Sequence, residues 1–385
     1  LHFHMGSQIS NLRDIRNGVR EAGRYYVELI AQGVPLTHLD IGGGLGVDYE
    51  GGRSRAFCSM NYSVAQYAQT IVSSIDELCS EQHVPMPHLV SESGRALAAH
   101  HAVLVTNVTA TEQFPVDPVT SFDEGHQVIN HLKELLETGD EREPEECYLE
   151  AEHWLAEGRH LFLYGDVSLR DRAQLEPLVF AILHRILQRL DPDHRRQHDL
   201  RERIRFKLSD KYFINLSIFQ SLPDIWAIDQ VFPIVPLQRL NEIPHRRAVL
   251  EDLTCDSDGR IDYYVERGEL EPTLPVHAIE SDELYLLGIF MAGAYQETLG
   301  DIHNLFGDTD SVDVEITAAG FRLNNARPGD SADELLERVG FEPRQLLIRC
   351  RAKVAAAALG PDESAAIERL LSEGLAAYTY LEPTS

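Results

Sequence analysis

The first 91 residues alternate short apolar runs with helix-period patterns, and this alternation limits the fold more than any other feature of the chain. Apolar residues recur at helical spacing over residues 12–30 and 64–78. Short apolar runs lie at residues 1–7, 36–41 and 88–91 and are predicted strands. Strands and helices joined by short connections are typical of parallel βα units. We therefore expect an α/β unit with its functional side chains at the carboxyl ends of the strands.

Three predicted strands are too few to close an eight-stranded barrel, and the chain opens on Leu1 instead of methionine. We therefore expect residues 1–113 to form the C-terminal part of a barrel, within a fragment of a longer protein.

The segment Asp40-Ile41-Gly42-Gly43-Gly44 directly follows the second predicted strand. Glycines at such a place let successive backbone N–H groups turn inward, which suits a phosphate. A tight loop that only needs positive φ explains the glycines about as well. A dinucleotide fingerprint fits poorly, because Val47 stands where a small residue is required. The loop predicts a phosphate site without saying which phosphate compound binds.

Charge and cysteine content narrow the class of protein. The chain has 34 basic and 62 acidic residues, a net charge of -28, which argues against nucleic acid or an anionic membrane as partner. Its five cysteines include no C-x-x-C pair, which predicts free thiols in a reducing compartment. No apolar run of 18 residues and no signal peptide is present, so we expect a cytoplasmic protein.

The remaining chain divides into three predicted parts. Residues 114–210 are charged and helical by period, which predicts a helical insertion used for packing or assembly. Residues 211–330 contain short β-branched and aromatic runs, typical of a β-barrel or sandwich domain, which the segment around residues 103–108 would join. Residues 331–385 are helical by period.

Two segments within these parts have more specific predictions. The charged run at residues 141–146 is expected to be a solvated connection between helical stripes at 128–136 and 175–190. In the β domain, residues 225–228 are predicted as a strand.

Three segments together resemble the alanine-racemase-like, fold-type III pyridoxal-phosphate decarboxylases: residues 1–8, residues 40–44 and residues 91–95. Their sequences are Leu-His-Phe-His-Met-Gly-Ser-Gln, Asp-Ile-Gly-Gly-Gly and Ser-Glu-Ser-Gly-Arg. These three sequences are most similar to those of the arginine-specific members of the family. The resemblance implies a (β/α)8 barrel, pyridoxal 5′-phosphate as cofactor, and decarboxylation of L-arginine to agmatine and CO₂ in polyamine biosynthesis. It also implies a homo-oligomer, dimer or tetramer, with the active site at the subunit interface, and Mg²⁺, whose ligands the sequence does not identify.

The resemblance assigns roles to eight cofactor-binding residues: His4, Ser7, Gly42, Gly43, Gly44, Glu92, Arg95 and Tyr295. The glycines and Arg95 would hold the phosphate, with Ser7 and Tyr295 as further donors. Glu92 would pair with the ring nitrogen and keep it protonated, and His4 would stack on the ring.

Two adjacent residues of the β domain, Cys255 and Asp256, match the second signature of the family. The resemblance implies that Cys255 is the catalytic acid that returns a proton to Cα, and that Asp256 binds the substrate guanidinium. Without the resemblance, a small buried hydrophobe is the simpler interpretation of Cys255. In the family, both residues come from the neighbouring subunit.

The family's cofactor-linking lysine lies on an early barrel strand, upstream of the His-x-Gly-Ser motif. This chain contains only Lys133, Lys207, Lys211 and Lys353, none of them in that context. We therefore expect that the 385-residue chain alone does not turn over substrate, whereas the full-length protein does.

Two alternatives stay open. One is decarboxylation of another basic amino acid, ornithine, lysine or meso-diaminopimelate. The other is a catalytically silent regulatory homologue, which the missing lysine favours and the intact Cys255 and Asp256 disfavour. A nucleotide-binding α/β protein fails on Val47 and on the lack of an acidic residue at a ribose position.

Overall fold

The computed structural model describes residues 1–114, 122–191, 194, 197–280 and 283–382. Its amino-terminal part contains two long helices, α1 (Leu12–Ala31) and α2 (Val64–Glu81), which pack beside the parallel strands β1 (His38–Asp40) and β2 (His88–Val90). The short helix α3 (Gly94–Ala98) follows β2. The predicted helices over residues 12–30 and 64–78 and the predicted strands at 36–41 and 88–91 are confirmed.

The helices of this part begin where the sequence supplies capping groups. The Asn11 side chain accepts a hydrogen bond from Arg13 N–H, and Ser63 and Gln66 form a reciprocal capping box at α2. The apolar stripes of both helices face the strands and form a core that includes Val19, Tyr26, Leu39, Ile75 and Leu78. This packing fixes the positions of the loops that follow β1 and β2.

The prediction of a strand at residues 1–7 is wrong. This segment pairs with β1 through a single parallel bridge between His2 and Asp40. Asp40 N–H donates to Leu1 O (2.8 Å) and Phe3 N–H donates to Asp40 O (3.1 Å), after which the segment leaves β1. It meets the glycine loop again at Ile9, which bridges to Leu45.

A bundle of four helices with its own core follows: α4 (Gln127–Thr138), α5 (Pro144–Tyr164), α6 (Leu169–Arg189) and α7 (His198–Lys207). The prediction of a solvated connection at residues 141–146 is wrong, because α5 begins within this segment. Pro144 occupies the first turn and Glu145 and Glu146 follow. Proline and acidic side chains are favoured at that end of a helix, so the charged run starts a helix.

Seven strands form the main sheet of the β domain: β3 (Val103–Glu112), β4 (Asp210–Ile214), β5 (Ile234–Pro236), β6 (Arg246–Glu251), β7 (Arg260–Ile261), β10 (Leu274–Val276) and β11 (Leu286–Phe290). Their order is β10-β6-β4-β3-β11-β5, with β7 on β6. Strands β8 (Tyr264–Glu266) and β9 (Glu269–Glu271) form a separate pair. Because β3 and β4 are antiparallel neighbours, the whole helical bundle is an insertion between two paired strands.

Residues 225–228, predicted as a strand, belong instead to the short helix α9 (Pro223–Ile228), which follows α8 (Ile218–Ser221). Pro223 opens α9, and Asp229 ends it in the left-handed conformation (φ 54°). These terminal signals outweigh the β propensity of the apolar run between them.

The carboxyl-terminal part contains an antiparallel hairpin, β12 (Ser311–Thr317) and β13 (Gly320–Arg327), and the helices α10 (Ala332–Arg338), α11 (Pro343–Ala356) and α12 (Pro361–Leu375). The chain then returns to the β domain, where the buried Tyr380 donates its hydroxyl to Gly307 O (2.7 Å). Among the described residues, no helix is both long enough and apolar enough to cross a bilayer.

Candidate functional site

The glycine loop after β1 lies between two other loops and has no room for side chains. A Cβ on Gly42 would lie 2.3 Å from Phe3 O, and one on Gly43 would lie 3.0 Å from the His4 ring and 3.2 Å from Glu92 O. Gly42 and Gly44 also have positive φ values of 63° and 114°. The glycines therefore permit close backbone packing of the three loops.

Two of the three glycine N–H groups already have acceptors within the chain. Gly42 N–H donates to Asp40 Oδ1 (2.9 Å), and Gly43 N–H donates to His4 Nδ1 (3.1 Å). In the described part of the chain, Gly44 N–H has no such acceptor. Gly43 N–H can only donate, so His4 Nδ1 is the acceptor, and this hydrogen bond limits the rotation of the His4 ring.

Glu92 lies on the other side of the glycine loop, at the carboxyl end of β2. Its N–H donates to Gly42 O (2.8 Å), which fixes its backbone, and its side chain is exposed. Side-chain ligand atoms of His2, Asp40 and Glu92 lie within 4.8 Å of one another. His2 Nδ1 is 2.9 Å from Asp40 Oδ2.

Asp40 joins the glycine loop to this cluster. The hydrogen bond from Gly42 N–H is the largest influence that lowers the pKa of the Asp40 carboxyl below its ordinary value, and His2 acts in the same direction. Both contacts stabilise the ionised form of the carboxylate.

Arg95, at the start of α3, is the best-defined charged group of the site. Its Nε donates to Ser7 Oγ (3.0 Å), its Nη1 faces Tyr49 OH (3.3 Å) and Gln230 Oε1 (3.5 Å), and its guanidinium lies 4.7 Å from the ring centre of Tyr295. These contacts bring residues from four distant segments of the chain to one guanidinium.

Arg95 forms no ion pair with a carboxylate among the described residues. The side chain is only 7% exposed, and no carboxylate of the described residues lies within 4.0 Å of it. Removing an unpaired charge from water costs several kcal/mol. A buried arginine bordered by the hydroxyls of Ser7 and Tyr295, which are 2.9 Å apart, is therefore suited to an anion.

Tyr49 and Gln230 are site residues that the sequence did not identify. Both are almost fully buried, and each touches the Arg95 guanidinium. Burial raises the pKa of the Tyr49 phenol, while its hydrogen bond to Arg95 acts in the opposite direction. No motif contains these residues; only the close packing of the first part against the β domain brings them together.

Cys255 and Asp256 lie in the loop between β6 and β7. The buried Asp252 supports this loop: its Oδ1 accepts bonds from the N–H and the hydroxyl of Thr254 (both 2.7 Å), and its Oδ2 accepts one from Ile218 N–H (2.8 Å). Cys255 is an exposed free thiol. Asp256 Oδ2 is 3.4 Å from His303 Nε2.

The predicted site residues thus form two separate groups in one copy of the chain. The first group contains His4, Ser7, Gly42, Gly43, Gly44, Glu92, Arg95 and Tyr295. The second contains Cys255 and Asp256, whose hydrogen bonds and ion pairs within the described residues go to their own loop and to His303 and Asn304.

The sequence matches three family models. Residues 1–99 match the pyridoxal binding domain of the pyridoxal-dependent decarboxylases. Residues 122–205 match the arginine decarboxylase helical bundle domain, and residues 332–381 match the arginine decarboxylase C-terminal helical extension. The first match covers the residues of the first group except Tyr295, and the second covers the bundle inserted between β3 and β4.

Named relatives agree with these domains. The chain is 50% identical over 386 residues to biosynthetic arginine decarboxylase of Alkalilimnicola ehrlichii and 47% identical over 382 residues to that of Xanthomonas campestris, with 99% of the chain covered in each. It spans 61% of the length of either relative. The structure of the Campylobacter jejuni biosynthetic arginine decarboxylase superposes with a TM-score of 0.82 at 29% identity, covering 100% of this chain and 63% of the other.

The fold and the matched pyridoxal binding domain are those of the pyridoxal-dependent decarboxylases. Within that class, the helical bundle and the C-terminal extension match arginine decarboxylase models, and the two relatives named above are biosynthetic arginine decarboxylases.

The Asp40 contacts predict a specific dependence of stability on pH. Because the folded pKa is depressed, the carboxylate contributes stability above its ordinary pKa of 3.8, and this contribution is lost as the pH falls through the folded value. In Asp40→Asn, whose amide oxygen can still accept the Gly42 N–H, the fall in melting temperature between pH 6 and pH 3 should be smaller than in the unmodified chain. Asp14→Asn, an exposed position on α1, is the control; equal pH slopes for all three proteins would contradict the interpretation.

Proposed function

We propose that the chain binds pyridoxal 5′-phosphate at the Arg95 site and contributes this site to the decarboxylation of L-arginine to agmatine and CO₂ in polyamine biosynthesis, a reaction that also needs a cofactor-linking lysine, whose context none of the four lysines of this chain has. The buried guanidinium of Arg95, which has no carboxylate partner within the described residues, carries this proposal. When bound, the cofactor accepts the electron pair that departing CO₂ leaves at Cα.

The phosphate of the cofactor fits the Arg95 end of the site. Arg95 would supply charge-assisted hydrogen bonds, and Ser7, Tyr295 and Gly44 N–H would supply further donors. Gly42 and Gly43 donate elsewhere in this structure, so they would serve by leaving room for close approach. This division of roles refines the prediction that all three glycines bind phosphate through N–H groups.

Glu92 and His4 would meet the ring of the cofactor. Both side chains are exposed at the loops that flank the glycine segment. A carboxylate at the ring nitrogen favours its protonated form, which makes the ring a stronger electron acceptor. The His4 ring is already held by Gly43 N–H, so its plane is set before the cofactor arrives.

The substrate-binding part of the proposal requires a second copy of the chain. Cys255 and Asp256 are exposed or partly exposed and contact no residue of the first group in the described structure. We propose a dimer or a larger assembly in which this loop reaches the Arg95 site of a partner. Asp256 would then bind the guanidinium of arginine, and Cys255 would protonate Cα.

Two further parts of the proposal concern the location of the protein and a metal ion. A cytoplasmic location agrees with the five free cysteines. Among the described residues, the one cluster of three potential metal ligands, His2, Asp40 and Glu92, includes an imidazole, whereas Mg²⁺ prefers oxygen ligands. We therefore assign no role to Mg²⁺.

The alternatives differ in observable ways. A decarboxylase of ornithine, lysine or diaminopimelate would share the Arg95 site but prefer an amine to a guanidinium. A silent regulatory homologue would lack the cofactor-linking lysine. The four lysines of this chain lie outside residues 1–99: Lys133 and Lys207 are in the bundle, Lys211 is in β4 and Lys353 is in α11. The relatives named arginine decarboxylases favour the arginine reaction.

Arg95→Met should abolish saturable binding of pyridoxal 5′-phosphate, because the variant keeps the length of the side chain but removes its charge and donors. Arg95→Lys should weaken binding about 10-fold or more, since one ammonium cannot replace a fork of donors. Equilibrium dialysis at pH 7.5 measures both. The control is Arg13→Met, at an exposed position on α1; unchanged affinity in Arg95→Met would contradict the phosphate assignment.

Agmatine should bind the cofactor-loaded chain more tightly than putrescine or cadaverine. Asp256→Asn should weaken agmatine binding about 10- to 100-fold, because it removes a charge-assisted hydrogen bond. Isothermal titration calorimetry measures these affinities, at protein concentrations where sedimentation shows a dimer. Asp258→Asn, on the same loop, is the control. Tighter binding of putrescine or cadaverine would indicate a different substrate, and an unaffected Asp256→Asn would remove that residue from the site.

The 385-residue chain loaded with pyridoxal 5′-phosphate should release no more CO₂ from ¹⁴C-labelled arginine than the free cofactor does. The reason is that none of its four lysines lies in the matched pyridoxal binding domain. Arg95→Met under the same conditions is the background control. Substantial release that disappears when one of the four lysines is replaced by methionine would show that the prediction is wrong.

A further inference from the structure

The loop that carries Cys255 and Asp256 meets a second turn at residues 303–305. Asn304 Oδ1 lies 3.4 Å from Cys255 N and 3.7 Å from Cys255 Sγ. The neighbouring His303 places Nε2 3.4 Å from Asp256 Oδ2. Two adjacent residues of the turn therefore contact the two adjacent residues that the proposed function requires.

The turn is held in an uncommon backbone conformation. Asn304 and Leu305 both have positive φ, at 55° and 60°. Asparagine tolerates this region, but leucine rarely adopts it, and such conformations persist where the surroundings hold them. Here the His303 ring packs 4.3 Å from Phe219, and Phe306 stacks 5.3 Å from Tyr380. The Asn304 side chain is thus presented from a rigid support.

The contact with the backbone decides which end of the Asn304 amide faces the cysteine. The Cys255 N–H can only donate, so the atom of Asn304 that faces it must be the carbonyl oxygen. The same oxygen faces Sγ. Because that oxygen cannot donate, the sulfur must supply the hydrogen, and this contact exists only while Cys255 is a thiol.

We propose that Asn304 is a positioning residue that holds the proton of Cys255 on sulfur and fixes the direction of the S–H bond. The proposal rests on the proposed role of Cys255 as the acid that protonates Cα. In that step the S–H bond breaks, its electron pair stays on sulfur, and the proton forms a C–H bond with the pair that CO₂ left. The sulfur regains a proton from water.

Four titratable groups lie near Cys255 in this arrangement. Asp256 and Asp258 are on its own loop, Asp252 supports the base of that loop, and His303 is on the facing turn. A change confined to Asn304 keeps all four, so its effect on the sulfur can be separated from theirs.

The test measures alkylation of Cys255 by iodoacetamide in the full chain, in a Cys350→Ser background that removes the other cysteine that is not buried. Asn304→Gly removes the amide while suiting the positive φ of the position. At pH 7.5 its alkylation rate should exceed that of the parent about 2- to 10-fold, as expected for loss of one hydrogen bond. At pH 10.5, well above the ordinary pKa of a cysteine thiol of about 8.5, the rates should be equal.

Asn304→Asp is the matched rescue, because its carboxylate keeps an acceptor oxygen in the same place, and its rate at pH 7.5 should stay at or below the parent value. Equal rates for Asn304→Gly and the parent at pH 7.5 would overturn the proposal. A rate increase of the same size at both pH values would also overturn it, since that pattern reports exposure alone. The assay needs neither cofactor nor substrate, so failure of the proposed function would appear separately, in the binding experiments.

Discussion

The site depends on one buried positive charge. Arg95 is held by Ser7, Tyr49, Gln230 and the ring of Tyr295, all of them uncharged. A guanidinium in such surroundings is costly unless an anion completes them. The first part of the chain and the β domain both supply these neighbours, so their relative packing and the binding of an anion are physically linked.

The two groups of proposed site residues lie on different parts of the chain. The first group of residues lies on loops after β1 and β2, while Cys255 and Asp256 lie on a loop of the β domain that Asp252 supports. Each group is well ordered by its own hydrogen bonds, but neither is a complete site. The proposed dimer is the arrangement that joins the two groups. The bundle inserted between β3 and β4 leaves the β-domain sheet continuous.

The elements that could be predicted are those whose own residues specify them. Helices α1 and α2 have long apolar stripes and capping side chains, and the structure places them where the spacing predicts. Helices α5 and α9 were not predicted. The charged run at residues 141–146 was interpreted as a solvated connection, and the apolar run at residues 225–228 was interpreted as a strand. In both, a proline in the first turn was the local signal that decided the structure.

The sequence by itself determined the family resemblance, the three motifs and the alternation of strands and helices, since these depend on residues close together in the chain. Only the tertiary structure decided which glycine N–H groups are free, that Tyr49 and Gln230 border Arg95, and that Asn304 faces Cys255. Except for the Asp40–Gly42 bond, those contacts join residues that are 39 to 135 positions apart in the chain. Side-chain packing between separate parts of the chain sets such contacts, so no local sequence pattern predicts them.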